Sequence, residues 1–333
     1  TDRSERRAMA DSGLSQPPLI ITSALIGLAI GAVVHAEVPT WMIEVPLMGL
    51  LLVLFLSVDP WRLKDAFGNR RFAVTALAIN FVATPILSYV LASAFFADSL
   101  EMMMGLVMLL VTPCTDWYLV FTRLGGGNVE LGMSLLPLNL ILQVLLLPVY
   151  LSLFFGASSD MDAVPLLADM AVLLAVPLIA AVVIRTVTDG SEREELLDRR
   201  GDGIQLLLLC IAVFAMFESQ GETAAGNLGM LVRMFAPLAI FFATAFALAG
   251  IAGRLQRFPR EDTTALIFTS MARNSPLSLA IAIAAFPDMP LTALALVIGP
   301  LIELPVLTFT AWFVRKQASC IRCRLPVRPG RSS

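Results

Sequence analysis

Apolar stretches long enough to cross a lipid bilayer recur along the whole chain, separated by short polar breaks. A helix needs about 20 mostly apolar residues to span the hydrocarbon core, so each stretch predicts a membrane-spanning helix. Only 15% of the 333 residues are charged, against about 25% in a typical soluble domain. We therefore predict an all-α membrane protein with ten spans, at 19–36, 40–58, 72–96, 100–124, 131–155, 163–187, 204–219, 230–252, 263–287 and 291–315.

The first predicted span ends in Val34, His35 and Ala36, which is similar to a small-residue signal cleavage site. Cleavage there would leave nine spans and remove the symmetry between the two halves, so we interpret this stretch as a retained helix. His35 is the only histidine, and the sequence places no cluster of metal ligands or nucleophiles with it. The sequence thus predicts neither an enzyme nor a sensor, and no cofactor or metal site.

Charges in the loops predict the orientation of the chain. With ten spans, 21 of the 23 basic residues fall in the two tails or in loops on the same side as the tails. Basic loops stay on the cytoplasmic side, so we predict a multi-pass protein of the inner cell membrane with both termini in the cytoplasm. The basic residues are spread along this rim, as orientation requires, and do not indicate nucleic-acid binding.

The longest polar loop, residues 188–203, separates spans one to five from spans six to ten. Because five is an odd number, the second half must enter the membrane inverted relative to the first. The fourth span of each half carries a similar interruption, Thr112-Pro113-Cys114-Thr115 in the first half and Arg273-Asn274-Ser275-Pro276 in the second.

Proline removes a backbone donor, so a mid-span proline beside polar residues favours an unwound helix over a simple kink. Asn274 or Ser275 before Pro276 is also typical of the start of a new helix. Matching interruptions in both halves indicate a transport site near the midplane of an inverted-repeat carrier. The alternative is that Pro113 and Pro276 only kink their helices.

Three ionisable residues lie deep in predicted spans, namely Asp116, Arg273 and Glu303. A charge at mid-span costs about 2.5–3.5 kcal/mol, so each needs a partner or a function. One interpretation is a buried ion pair between Arg273 and either carboxylate. The other is that the second carboxylate carries a proton. Asn139 and Gln143, one helical turn apart in span five, are polar but neutral.

Several segments around these residues carry a resemblance to known proteins: Pro113-Cys114-Thr115, Gly127-Asn128-Val129, Asn139, MARNSPLSLA at 271–280 and VIGPLIELPV at 297–306. They resemble the bile acid/sodium symporter superfamily, and within it the arsenite-efflux carriers of arsenical resistance. The resemblance implies a ten-helix fold with a panel domain of spans 1, 2, 6 and 7 and a core domain of spans 3–5 and 8–10. In that core, the broken spans four and nine cross.

This organisation divides the chain into five parts. A cytoplasmic tail at 1–18 precedes the first repeat and helix six at 19–187. A cytoplasmic loop at 188–203 leads to panel helix seven and core helices eight to ten at 204–315. The basic cytoplasmic tail is 316–333.

The sequence also departs from the sodium-coupled members of the superfamily. Their Ser-Asn pair in span four falls on Tyr118 and Leu119, and their span-nine glutamate falls on Thr269. Arg273 replaces their glutamine, and a guanidinium repels a sodium ion. We therefore predict that sodium coupling is lost. Many efflux carriers have a glutamate near the position of Ser278, so Glu303 is the remaining matched carboxylate.

The resemblance implies proton-coupled efflux of arsenite or antimonite, small-molecule substrates that Cys114 would bind through its soft sulfur. The predicted substrate-binding residues are Pro113, Cys114, Thr115, Asn139, Arg273, Asn274 and Ser275, and the predicted proton-coupling residues are Glu303 and Asp116. The alternative function is an organic-anion carrier that uses Arg273 as the counter-charge. The alternative for Cys114 is a small buried residue at a helix break.

Overall fold

The computed structural model describes residues 19, 22–23, 25–27, 29–31, 39, 41–57, 68–114, 117–156, 175–177, 179–187, 203–204, 206–208, 210–212, 214–215, 218, 228–286 and 288–324. The tail at 1–18 and the predicted site residues Thr115 and Asp116 lie outside the described residues.

Most of the described residues are helical, and we number the continuous helices in chain order. They are α1 (Trp41–Ser57), α2 (Arg70–Phe96), α3 (Leu100–Val111), α4 (Trp117–Leu124), α5 (Val129–Phe155), α6 (Leu228–Arg233), α7 (Phe235–Leu255), α8 (Arg260–Met271), α9 (Ser275–Ala285) and α10 (Pro290–Arg324). Apart from one isolated bridge between Pro113 and Arg273, this part of the chain contains no β-structure. The prediction of an all-α protein is confirmed for the described residues.

Four of the described helices are long and apolar enough to cross a membrane: Arg70–Phe96, Val129–Phe155, Phe235–Leu255 and Pro290–Gln317. Large apolar side chains recur on their outer faces every four residues, as in Val82, Ile86 and Val90 of α2 and Leu145, Val149 and Leu153 of α5. Residues four apart lie on one face of a helix, so each series forms an exposed apolar stripe that suits lipid rather than water.

Predicted spans 100–124 and 263–287 are each split, which confirms the predicted interruptions. The backbone leaves the helical region after α3, where Thr112 has φ −100° and ψ 104°. It does so again after α8, where Ala272 has φ −73° and ψ 137°. At the first interruption, Pro113 cannot donate the N–H that would continue the helix. The second interruption covers residues 272–274 and ends at Ser275, where α9 begins.

Two spans differ from the sequence prediction by more than a few residues or in continuity. Predicted span 291–315 continues as helix to Arg324, because the end of an apolar stretch marks the edge of the bilayer and not the end of hydrogen bonding. Predicted span 230–252 contains two helices, α6 and α7, separated at Met234.

A proline also changes the winding of α2. Residues Ile79–Ala83 form a π-helical segment just before Pro85, which lacks the N–H that would bond the carbonyl four residues earlier, at Phe81. The hydroxyl of Tyr150 in α5 donates to that carbonyl at 2.7 Å. A side chain of one helix thus satisfies the backbone group that proline frees in another.

The two half-helices before the interruptions form the centre of the core. Every residue from Met104 to Val111 in α3 is buried, and so is every residue from Thr264 to Met271 in α8. A helix segment buried on all sides is a core element. Helix α3 packs against α2 and α10, and α8 packs against α7 and α4. The interruptions therefore lie inside the protein.

Candidate functional site

The two interruptions pair with each other through their main chains. The N–H of Cys114 donates to the carbonyl of Ala272 at 2.9 Å, and the N–H of Asn274 donates to the carbonyl of Thr112 at 2.8 Å. These bonds form the isolated antiparallel bridge around Pro113. Unwound backbone inside a membrane protein needs partners for its polar groups, and here each interruption supplies them to the other.

Asn274 starts the helix that follows the second interruption. Its side chain accepts a hydrogen bond from the N–H of Leu277 at 3.3 Å, which makes it the N-cap of α9. Ser275 is the first helical residue and Pro276 the second, where a missing N–H is tolerated. Of the two predicted start residues, Asn274 is therefore the cap, and Ser275 is buried next to it.

Arg273 points its guanidinium at carbonyls of the two preceding half-helices. Nη1 donates to the carbonyl of Leu110 at 2.9 Å, Nε donates to that of Met271 at 3.3 Å, and Nη2 donates to that of Ser270. The guanidinium also lies 5.2 Å from the centre of the Phe241 ring. The last carbonyls of a helix have no partner within it and carry partial negative charge. A single buried cation thus caps the ends of both α3 and α8.

Glu303 reaches the second interruption from α10. Its Oε1 accepts a hydrogen bond from the main-chain N–H of Arg273 at 2.9 Å, and its side chain is 4% exposed. The structure therefore brings together Arg273 and Glu303, one of the two carboxylates left open by the sequence. The hydrogen bond that joins them comes from the Arg273 main chain.

Cys114 and Asn139 are buried beside the same interruptions. Cys114 is 3% exposed and lies directly after Pro113 in the first interruption. Asn139 lies in α5, and its Nδ2 donates to Thr269 Oγ1 in the last turn of α8 at 3.4 Å.

Two residues outside the predicted site also hold the interruptions together. Thr112 Oγ1 and Ser278 Oγ are 2.8 Å apart, and Ser278 Oγ donates to the carbonyl of Met108 at 2.9 Å. These side chains join α3 to α9. Ser278 could be identified in the sequence only as a departure from the efflux carriers, and its partners are more than 160 residues away.

The N-terminal ends of α3 and α8, which lie away from the interruptions, are held by hydrogen bonds to acidic residues. The main-chain oxygen of Glu101 accepts from Thr292 Oγ1 at 2.9 Å, at the start of α10. Asn128, the N-cap of α5, donates from Nδ2 to Asp262 at 2.8 Å and from its N–H to the carbonyl of Glu261 at 3.0 Å. Each interrupted helix is thus anchored at its entry to the helix that follows the other.

Several known proteins are similar to most of this chain. Arsenical-resistance protein Acr3 of Corynebacterium glutamicum is 26% identical to the chain, over 78% of the chain and 75% of its own length. Arsenical-resistance protein Acr3 of Alkaliphilus metalliredigens is 21% identical, over 85% and 86%. The uncharacterized protein YbaS of Bacillus subtilis is 24% identical, over 86% and 92%.

A family model, that of the SBF-like CPA transporters, matches residues 17–315, from the first predicted span through the last. The exposed apolar stripes and the four long apolar helices fit the same assignment. The chain is a membrane protein and belongs to the SBF-like CPA transporter family.

Proposed function

We propose that this transporter exports trivalent arsenic or antimony, as arsenite or antimonite, in exchange for protons. The observation that carries the proposal is a buried thiol, Cys114, at the point where two interrupted helices pair. Thiolate sulfur prefers soft metals and metalloids, and a single thiol binds them weakly enough for release. Two similar proteins named for arsenical resistance support the same substrate.

Glu303 is the proposed proton carrier. Its carboxylate bonds the N–H of Arg273, next to the residue whose carbonyl bonds the N–H of Cys114. A proton on Glu303 would remove its charge and weaken its hold on the second interruption. Proton binding and substrate binding would therefore act on the same pair of backbone segments. Asp116, the second proposed proton-coupling residue, lies outside the described residues.

The hydrogen bonds at the crossing support two inverted repeats. The donor–acceptor pair Cys114–Ala272 becomes the pair Asn274–Thr112 when 160 is added to the first number and subtracted from the second. Any antiparallel bridge contains such a pair of bonds, so the support for a two-fold axis comes from the same offset recurring away from the bridge. Glu101 and Glu261, at the N-terminal ends of α3 and α8, also differ by 160. The main-chain oxygen of each accepts a hydrogen bond from the start of the helix that follows the opposite interrupted span, α10 for Glu101 and α5 for Glu261.

This symmetry supports the full proposed architecture of ten spans, with a panel domain of spans 1, 2, 6 and 7 and a core domain of spans 3–5 and 8–10. The domain boundaries 1–18, 19–187, 188–203, 204–315 and 316–333, an inner-membrane location and two cytoplasmic termini belong to the same proposal. Alternating access would come from rocking of one domain against the other.

The hydrogen bonds of Arg273 favour metalloid efflux over the organic-anion alternative. An anion carrier would need the guanidinium to face its cargo, whereas here it donates to the carbonyls of Leu110, Ser270 and Met271. Its positive charge thus interacts with the partial negative charges at the C-termini of α3 and α8. In this proposal Arg273 contributes to the substrate site as a fixed cation that takes the place of sodium.

The test is uptake of arsenite into everted membrane vesicles under an imposed proton gradient. We expect proton-driven accumulation by the wild type, and its loss in both Cys114→Ser and Glu303→Gln. Cys210→Ser is the matched control, because Cys210 lies outside both interruptions and is only partly buried. If wild-type vesicles do not accumulate arsenite under the proton gradient, the metalloid assignment is refuted. Full arsenite uptake by Cys114→Ser would refute the role of Cys114 in binding the metalloid.

A further inference from the structure

Two buried amide side chains in α5 are short of hydrogen bonds. Within the described residues, neither amide atom of Gln143 has a partner, and Oδ1 of Asn139 has none. Gln143 is 1% exposed and Asn139 is 0% exposed. Buried polar groups are almost always paired, because an unpaired amide loses its hydration without compensation. These atoms therefore point to a ligand that the mechanism above leaves unassigned.

Gln143 lies level with the interruptions. Helices α5 and α8 begin side by side, where Asn128 bonds Asp262, and they are joined again where Asn139 bonds Thr269. They therefore run in the same direction. One further turn along α5, about 6 Å, leads from Asn139 to Gln143. The same advance from Thr269 leads past the end of α8 into the extended segment that pairs with the first interruption.

The internal symmetry holds at this level of the core. Adding 160 to Asn139 gives Gly299, and subtracting 160 from Thr269 gives Leu109. The symmetry therefore predicts a contact between Gly299 and Leu109. A Cβ atom added to Gly299 would come within 2.6 Å of the Leu109 side chain, so these two residues are indeed in contact. The position equivalent to Gln143 is then Glu303, the proposed proton carrier.

The symmetry also explains why Gln143 is unpaired. Glu303 is held by the main-chain N–H of Arg273, and the residue equivalent to Arg273 is Pro113. Proline has no N–H, so the donor that holds Glu303 has no counterpart for Gln143. The amide of Gln143 is left available on the cysteine-bearing side of the crossing.

We propose that Gln143, together with Asn139, binds the hydroxyl groups of the cargo and selects a neutral solute, such as the trihydroxy form of trivalent arsenic. This proposal rests on the proposed function. Amide groups donate and accept hydrogen bonds without adding charge. The buried cation Arg273 is directed at helix carbonyls, so among the described residues of the site it does not offer its positive charge to an anion.

The test is the arsenite KM of Gln143→Leu in the vesicle assay. Loss of one or two hydrogen bonds predicts a rise of about three- to thirtyfold, with an unchanged or higher unfolding temperature because an unpaired buried amide is removed. Gln143→Asn, which keeps the amide, should give a smaller rise. Ser93→Ala is the matched control, since it removes another unpaired buried polar atom, near the end of α2, and should leave KM unchanged.

The outcomes separate this proposal from the one on which it rests. An active wild type with an unchanged KM in Gln143→Leu overturns the role of Gln143 and leaves arsenite efflux standing. A wild type that does not transport arsenite overturns both. Arsenate, an anion with similar hydroxyl and oxo groups, should not compete with arsenite, and competition by arsenate overturns selection for a neutral solute.

Discussion

Replacing Arg273 with glutamine separates its structural role from a role in substrate binding. The guanidinium makes three hydrogen bonds to the carbonyls of Leu110, Ser270 and Met271 and lies over the ring of Phe241. Hydrogen bonds from a charged donor contribute about 1.5–3 kcal/mol each, and glutamine can replace one of them at most. Removing one partner of a buried charged interaction costs about 3–5 kcal/mol, and we expect Arg273→Gln to fall in that range.

The assay is thermal unfolding of the purified transporter in detergent, followed by tryptophan fluorescence. At about 2 °C per kcal/mol for a chain of this size, the unfolding temperature should fall by about 6–10 °C. Arg273→Lys keeps the charge but cannot reach three carbonyls, so its fall should be smaller. Arg233→Gln is the matched control, because Arg233 is exposed.

The opposite pattern would refute the reasoning. If Arg273 instead binds an anionic cargo, Arg273→Gln should unfold at the wild-type temperature and lose affinity for that cargo. An unchanged unfolding temperature would therefore show that the carbonyl bonds do not stabilise the crossing, and it would revive the organic-anion alternative.

Two further predictions concern contacts away from the interruptions. Tyr150→Phe leaves the carbonyl of Phe81 unpaired and should cost about 1–2 kcal/mol in the same unfolding assay, whereas Tyr89→Phe, which keeps its ring stacking, should cost less. The hydrogen bond from Arg233 lowers the pKa of Asp98 from its ordinary value of 3.8, so its contribution to stability is present above that pH and is lost as pH falls through the lowered pKa. The difference in unfolding temperature between wild type and Asp98→Asn should therefore shrink from pH 6 to pH 3; a constant difference would contradict this assignment.

The sequence predicted those parts of the site that have a local signature. Pro113 and Pro276, each beside polar residues, indicated two interruptions, and the order of Asn274 and Pro276 indicated a helix start. All of these are present in the structure. A charge within an apolar stretch is equally visible in a sequence, and Arg273 and Glu303 are two such charges.

The partners of those residues could not be predicted, because most of them are main-chain groups. Arg273 bonds three carbonyls and Glu303 bonds an N–H. Every residue supplies such groups, so the sequence contains no signal of which one is used. Ser278 illustrates the same limit for side chains, since its partner Thr112 lies 166 positions earlier. The significance of Gln143 depends on the symmetry that relates it to Glu303, which is a property of the folded chain.

The pairing of the two interruptions has a consequence for how carriers of this kind diversify. Because the bonds run between main-chain atoms, the side chains of Cys114 and Ala272 are not needed to form them, whereas the Thr112 side chain bonds Ser278 and the Asn274 side chain caps α9. Evolution can then exchange a sulfur for a hydroxyl or an amide and change the cargo while the geometry is inherited unaltered. The main chain fixes the geometry of the crossing, and a single substitution at Cys114 can change the chemical group that is offered to the cargo.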